Sequence, residues 1–363
     1  MPGPCAGFGL FSRRYDVGHV MTAHPSALDA WVRPHQIEVQ EFGSYALVID
    51  ARARAPFDED HLPGAVNLPV DESARRAKRQ PQALTALVAG LSRDDRVLVY
   101  CDRGGLDSAV WAEPLRAAGW SVDVLPGGWP NYRRWVSAGL EILPRVLYFR
   151  VLRAPPFSGV DCVLVALEND GQQVLDLVAL AEKNVWPGMS STAESGISQS
   201  AFESAVLHAL RFCDPERDVW VSELVLSATD TLSIPVALNQ KLCSSASVFV
   251  ETPLAHRVQC WQQTLAERGM DIEGVITRFA ADASLPAQSL IARWRGLAST
   301  DAPDAVLAAI LQDFVDRRYA AFSSKFDRSS IEGTLSIDTL QPLRGSAPDA
   351  DPVLRQLFTT GTT

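Results

Sequence analysis

Short apolar runs, each followed by a polar loop and an amphipathic stretch, set the rhythm of the first 140 or so positions. "ALVID" (46–50), "VLVY" (97–100) and "SVDVL" (121–125) have the length and β-branched content of buried strands. Between them, "PQALTALVAGL" (81–91) and "SAVWAEPLRAAG" (108–119) place apolar residues at helical intervals. Strands alternating with short helices predict a parallel α/β layer. The layer closes at "GGWPNYRRWVSAG" (127–139), a loop leading into an amphipathic helix. "PRVLYFRVLRAPPFSG", with Pro144, Pro155 and Pro156, reads as a connector. Beyond it, "VDCVLVAL" (160–167) reads as a buried strand, "QQVLDLVALAEK" and "SAFESAVLHALRF" as helices, and "SSASVFVE" (244–251) as a further strand. Residues 254–325 read as mostly helical. The chain thus divides into an extension over 1–38, expected to be partly disordered, an α/β domain over 39–142, a second α/β domain over 145–330 with a helical C-terminal part, and a loose tail over 331–363.

Composition narrows the picture. A chain of 363 residues with 47% hydrophobic content can bury two ordinary cores. The charge balance is acidic, 43 Asp plus Glu against 33 Lys plus Arg, which argues against a blanket nucleic-acid-binding surface. Local basic patches remain open, and Arg75, Arg76, Lys78 and Arg79 form one, readable as an RNA contact or as a solvated helix face. The six cysteines make no CxxC pair and no Cys/His cluster with zinc spacing, so no metal is expected. Scattered cysteines at this size point to a reducing, cytoplasmic compartment. No apolar run approaches the roughly 18 residues of a membrane helix. Arg13 and Arg14 lack the apolar run that a signal peptide places after its charges, and translation from Met1 or from Met21 is equally compatible with the sequence.

One stretch carries chemistry. In "YCDRGGLDSAVW" (100–111), Cys101 follows the apolar run "RVLVY" and opens a loop with a Gly-Gly pair before a helical pattern resumes. Strand, tight loop and helix place a thiol at the first amides of a helix, which stabilise an anion. A thiolate there has a lowered pKa and can act as a nucleophile.

Upstream, "DARARAPFDEDHLPGAVNLP" (50–69) resembles the rhodanese pattern, Asp-x-Arg followed by a Phe and then His-Ile-Pro-Gly-Ala-x-Asn. Asp50, Arg52, Phe57, His61, Pro63, Gly64, Ala65, Asn67 and Pro69 fall in place, and the cysteine loop comes about fifty residues after Asp50, as the resemblance requires. Asp50, Arg52 and His61 are read as scaffold near the site, Asp50 ending a strand and His61 ordering a turn. "YCDRGG" with the later "GGWPNYRRWV" is similar to the rhodanese half of tRNA 2-selenouridine synthases, with their Cys-x-Arg-Gly-Gly-x-Arg-Ser and Gly-Gly-Tyr-Lys-x-Tyr-Arg. "ISQSAFESAVLHAL" (197–210), "IPVAL…VFVETPLAHRV" (234–258) and the spacing of Asp316, Tyr319 and Lys325 resemble segments of the same family in the same order.

The resemblance implies a rhodanese-like domain followed by a P-loop-NTPase-like α/β domain with a helical C-terminal part. It implies exchange of sulfur for selenium at the wobble 2-thiouridine of tRNA, through a geranylated intermediate and selenophosphate. The cysteine, here Cys101, takes part in the chalcogen step, and the loop Asp102, Arg103, Gly104, Gly105, Asp107 and Ser108 surrounds it. A P-loop in the second domain would hold the phosphorylated substrate. The implied partners are tRNA and a sulfur or selenium donor protein; no bound cofactor is expected.

Two departures stand out. Laid over "ALENDGQQV" (166–174), the Walker pattern GxxxxGK[ST] keeps only Gly171. Ala166 replaces the first glycine, Gln172 the lysine and Gln173 the hydroxyl residue, while Glu168 and Asp170 add negative charge. Of a later Glu-Asp-Glu-Ser-Arg segment only Glu223 fits. In the cysteine loop, Asp107 stands where the family has arginine and Asp102 follows the cysteine directly. Carboxylates close to a thiolate are expected to raise its pKa, with Arg103 a partial offset. Three readings follow: a sulfur or selenium transferase working through a Cys101 persulfide or perselenide, a non-catalytic tRNA- or protein-binding relative, and a simple rhodanese-type sulfurtransferase. The sequence leaves the acceptor and the oligomeric state open.

Overall fold

The computed structural model describes residues 42–71, 82–103, 105–181, 197–225, 232–267, 269–281, 288–300, 302–324 and 331–336. The extension over 1–38, the basic cluster Arg75 to Arg79, Gly104, Lys325 and the tail beyond 336 lie outside them. The chain forms two compact units, residues 1–139 and 140–363.

In the first unit, strands β1 (Leu47–Asp50), β2 (Ala65–Asn67), β3 (Arg96–Tyr100) and β4 (Ser121–Val124) form one sheet in the order β2-β1-β3-β4. Every pairing is parallel, with Asp50 opposite Asn67 on one side and Tyr100 on the other. Parallel neighbours need crossovers. Helices α1 (Arg54–Glu59), α2 (Gln82–Val88) and α3 (Leu106–Ala117) fall between the strands, and α4 (Gly128–Val146) follows β4. Ile49, Val97, Val99, Leu84, Trp111, Ala112 and Leu115 form the core between sheet and helices. The central strands are buried almost throughout, so they read as continuous apolar runs rather than alternating ones.

The second unit corrects four expectations: "QQVLDLVALAEK", read as a helix, begins with a strand over Gln173–Leu175, the tail read as loose from 331 begins with a strand over Ile331–Ser336, and two more follow. The stretch read as a connector contains β5 (Tyr148–Arg153), the middle strand of a five-stranded parallel sheet. The stretch read as a strand, 160–167, is helix α5 (Val160–Asn169). Its Val163, Leu164 and Leu167 are buried against Leu152, Trp220 and Val248. An apolar run of eight cannot by itself be told from a buried helix segment. The other strands are β6 (Gln173–Leu175), β7 (Asp218–Ser222), β8 (Ala246–Glu251) and β9 (Ile331–Ser336), in the order β6-β7-β5-β8-β9. Asp176 caps the short helix α6 (Leu177–Leu180) and Ser198 caps α7 (Gln199–Leu210), each with a side-chain oxygen on the first free amides. Helix α8 (Val236–Cys243) precedes β8.

From 254 onward the described chain is helical, as expected, until β9. Helices α9 (Leu254–Glu267), α10 (Ile272–Ala281), α11 (Gln288–Ala298) and α12 (Pro303–Ile310) share a core around Trp261, Phe279, Trp294 and Ile310, and α13 (Asp316–Ser323) follows. A π-helical turn over Leu311–Val315 joins the last two.

Candidate active site

Cys101 is the first residue after β3 and is only 3% exposed. Its carbonyl accepts the amide of Trp129 at 2.9 Å, which ties the loop after β3 to the loop after β4. Gly127 and Gly128, both at positive φ, turn the chain so that this amide faces the cysteine.

The chain then enters α3 at Leu106. Burial pushes the Cys101 thiol up, but the Ser108 hydroxyl and the backbone amides of Arg103, Gly105 and Ser108 stabilise the thiolate and bring the pKa below the ordinary thiol value. The Ser108 oxygen is buried and has no protein partner at normal hydrogen-bonding distance. It faces the sulfur closely enough to favour the charged form. Asp102 and Arg103 are exposed and Asp107 is half-buried in the first turn of α3. The expected rise from Asp102 and Asp107 is therefore not the outcome: donors at the helix N-terminus prevail.

Behind the cysteine lies a buried polar seat. Arg52 clamps Asp50 through Nε at 3.1 Å and Nη2 at 2.7 Å, and both side chains are buried. The Tyr100 hydroxyl donates to Asp50 Oδ2 at 2.6 Å and accepts the Leu62 amide at 3.2 Å. Burial first, then the Asp50 charge, pushes the Tyr100 hydroxyl far above its ordinary pKa, so it stays a donor. Arg52 also donates to the Asp60 carbonyl at 2.6 Å, and its guanidinium lies 3.8 Å from the Trp129 ring centre. Asp60 in turn pairs with Arg133 at 3.1 Å. His61 stacks on Phe57 with ring centres 4.1 Å apart and donates from Nδ1 to the Phe57 carbonyl at 2.9 Å. Asn67 donates to the carbonyls of Asp50 and Arg52. Asp50 and Arg52 thus hold each other and backbone, and His61 holds the end of α1. Sequence reading missed Tyr100, Trp129, Asp60 and Arg133; the signal available was a tyrosine ending an otherwise aliphatic strand directly before the cysteine.

The other shifted cysteines differ. Burial pushes Cys162 up to about 12 and Cys213 and Cys260 up to about 11. Among the described cysteines with a shifted thiol, Cys101 alone moves downward.

The expected phosphate loop is placed differently. Ala166 is buried inside α5, and Gly171, at φ 77°, turns the chain out of that helix. The Gly171 carbonyl accepts Arg217 Nη2 at 2.6 Å. Gln172 bonds Asp170, and Gln173 lies in β6, where its side-chain amide donates to the carbonyls of Asp214 and Arg217. This is a helix C-terminus, where free carbonyls project and the dipole repels anions. Ala166, Gly171, Gln172 and Gln173 therefore do not form a phosphate loop, intact or degenerate. The segment running from a central strand into a helix N-terminus is 154–159.

Residues 35–134 match the rhodanese-like domain. The chain is 26% identical over 237 residues to a tRNA 2-selenouridine synthase of Nitrosomonas europaea, 58% of this chain and 61% of that protein. Proteins of the same name from Nitrosomonas eutropha and Chromohalobacter salexigens are each 26% identical over 240 residues, 58% of this chain and 61% and 63% of theirs. The matched region thus spans less than two thirds of these relatives. No helix among the described residues is long and apolar enough to cross a membrane.

Proposed function

The chain is a divergent relative of the tRNA 2-selenouridine synthases with a rhodanese-like domain, and on that footing we propose that it is a sulfur or selenium transferase whose carrier is Cys101. The observation that supports this most is the lowered Cys101 thiol in its cradle of amides and hydroxyl. With thiosulfate as donor, the thiolate attacks the outer sulfur, a new S–S bond forms, the bond to the sulfonate sulfur breaks, and sulfite leaves with the electron pair. The persulfide sulfur carries the negative charge that the Arg103, Gly105 and Ser108 amides can share. A nucleophilic acceptor then takes the outer sulfur and the Cys101 thiolate leaves. With selenosulfate as donor the same step loads selenium: an S–Se bond forms, the bond from selenium to the sulfonate sulfur breaks, and sulfite leaves with the electron pair. For exchange at the wobble 2-thiouridine of tRNA, a second thiol attacks the Cys101 sulfur, a disulfide forms and selenide leaves with the pair; the selenide then attacks C2 and the original sulfur departs, while a donor protein supplies the chalcogen in the cell.

The test is intact-mass spectrometry after incubation with thiosulfate or with selenosulfate. Wild type is expected to gain roughly 32 Da or roughly 80 Da on Cys101, and Cys101→Ser nothing. Absence of any adduct on wild type defeats the reading. A second reading, a binding protein that keeps the scaffold without transfer, is favoured by Asp107 standing where the resembled family has arginine and would then take its place.

A further inference from the structure

The strand-to-helix loop after β5 occupies the position at which parallel sheets take phosphorylated ligands: the carboxyl end of the strand where the strand order turns back. A Walker pattern laid over this loop runs from Ala154 to Asp161 and keeps one glycine, Gly159, at φ 75°. Its other positions do not fit a phosphate. Pro155 and Pro156 have no amide hydrogens, so two of the donors that such a loop turns toward an anion are missing. Val160 stands at the lysine position and offers no charge. Asp161, at the hydroxyl position, brings a negative one.

The loop is also fastened shut by its own surroundings. Phe157 sits at φ 63°, a conformation that a bulky residue rarely adopts unless its side chain is held. It is held: the ring stacks on Trp261 of α9 with centres 4.7 Å apart. Arg257 of the same helix donates from Nε to the Pro156 carbonyl at 3.0 Å and grips Asp316 with both terminal nitrogens, at 2.6 and 3.1 Å. Thr252 donates to the Ser158 carbonyl at 2.8 Å. Arg153, the last residue of β5, pairs with buried Glu223 at 2.5 Å, and Tyr319 donates to the other oxygen of that carboxylate at 2.8 Å. The two arginines beside the loop are neutralised by the chain's own carboxylates, which would have to be displaced before an anion could enter.

We propose that the loop 154–159 has become a packing latch: it binds no nucleotide or polyphosphate, and Phe157 and Arg257 fasten the helical part of the second unit to its sheet. Calorimetry of the full chain with Mg-ATP, Mg-GTP and inorganic pyrophosphate should show no binding. A dissociation constant at or below about 0.1 mM overturns the proposal. Restoring only the lysine and hydroxyl, in Val160→Lys/Asp161→Thr, should not create binding, because the prolines and Phe157 remain. A gain of binding would show the loop to be open and overturn the latch. Phe157→Ala should lower the melting midpoint by about 4 °C or more, and Phe157→Tyr should keep it. If Phe157→Ala does not fold, Arg257→Lys, which keeps the charge but loses the fork, should show the same fall. An unchanged midpoint in the variant that folds also overturns the proposal. None of these outcomes bears on adduct formation at Cys101, so the latch and the transferase reading stand or fall separately.

Discussion

At Cys101 two opposing effects meet on one sulfur. Burial alone would make the thiol inert, as it does for Cys162, Cys213 and Cys260. What reverses the sign is a set of donors fixed by the turn into α3, and among them the Ser108 hydroxyl is the one that mutation can remove cleanly. Ser108→Ala should raise the Cys101 pKa, because the thiolate loses one of its donors. The thiolate fraction near neutral pH, and with it the iodoacetamide rate, should fall by about tenfold, the order expected for losing one hydrogen bond to a charged group. The check is the pH profile of Cys101 alkylation, with Cys101→Ser giving the background. Coincident profiles for wild type and Ser108→Ala would mean that the hydroxyl does not serve the sulfur. The cysteine loop was legible in the sequence because strand, Gly-Gly loop and helix announce themselves locally. The sign of the thiol shift was not. Asp102 and Asp107 stand near Cys101 in sequence, but which groups point at the sulfur depends on loop geometry.

At the scale of elements, the loop keeps its shape because the ends of β1 and β3 are bolted together beneath it. Asp50 and Tyr100 are register partners across that pairing, and their side chains meet as carboxylate and hydroxyl. Removing the carboxylate leaves Arg52 buried without its ionic partner. Asp50→Ala should therefore cost about 3–5 kcal/mol, read as a lower denaturant midpoint at unchanged slope. Tyr100→Phe should cost less, about 1–3 kcal/mol, because it strands the Leu62 amide but leaves Asp50 Oδ2 on Arg52 and no cation unpaired. A cost for Asp50→Ala below that of Tyr100→Phe would show the seat to be dispensable. The sequence made the long apolar strands β1, β3, β4 and β8 legible. It hid β2, three residues long and only part-buried, and β9, whose burial alternates over six positions. It misread 160–167, where Gly159 at positive φ starts a helix that periodicity over eight apolar residues cannot distinguish from a strand. That misreading carried the phosphate loop to the wrong end of the helix.

At the scale of the whole molecule, the shifted thiols among the described residues divide into one lowered and three raised, and they couple stability to pH in opposite senses. Cys162, Cys213 and Cys260 hold their protons in the folded chain up to about 12, 11 and 11. In the unfolded chain the same thiols ionise near pH 8.5. Their contribution is thus fully present below about pH 8.5. Above it the unfolded state binds fewer protons than the folded state, so stability declines as pH rises toward the folded values. Cys101, whose folded pKa is lowered, works the other way: its contribution is present above the unfolded value and is lost as pH falls through the folded one. Three raised groups against one lowered group give a net alkaline lability. Melting midpoints measured from about pH 8 to about pH 10.5 should fall more steeply in wild type than in the triple variant Cys162→Ala, Cys213→Ala, Cys260→Ala. Tyr100 and Tyr319, both raised by burial first, titrate identically in the two proteins and cancel in the comparison. Parallel curves would mean that these thiols ionise as freely in the folded chain as in the unfolded one, and that their burial does not hold their protons.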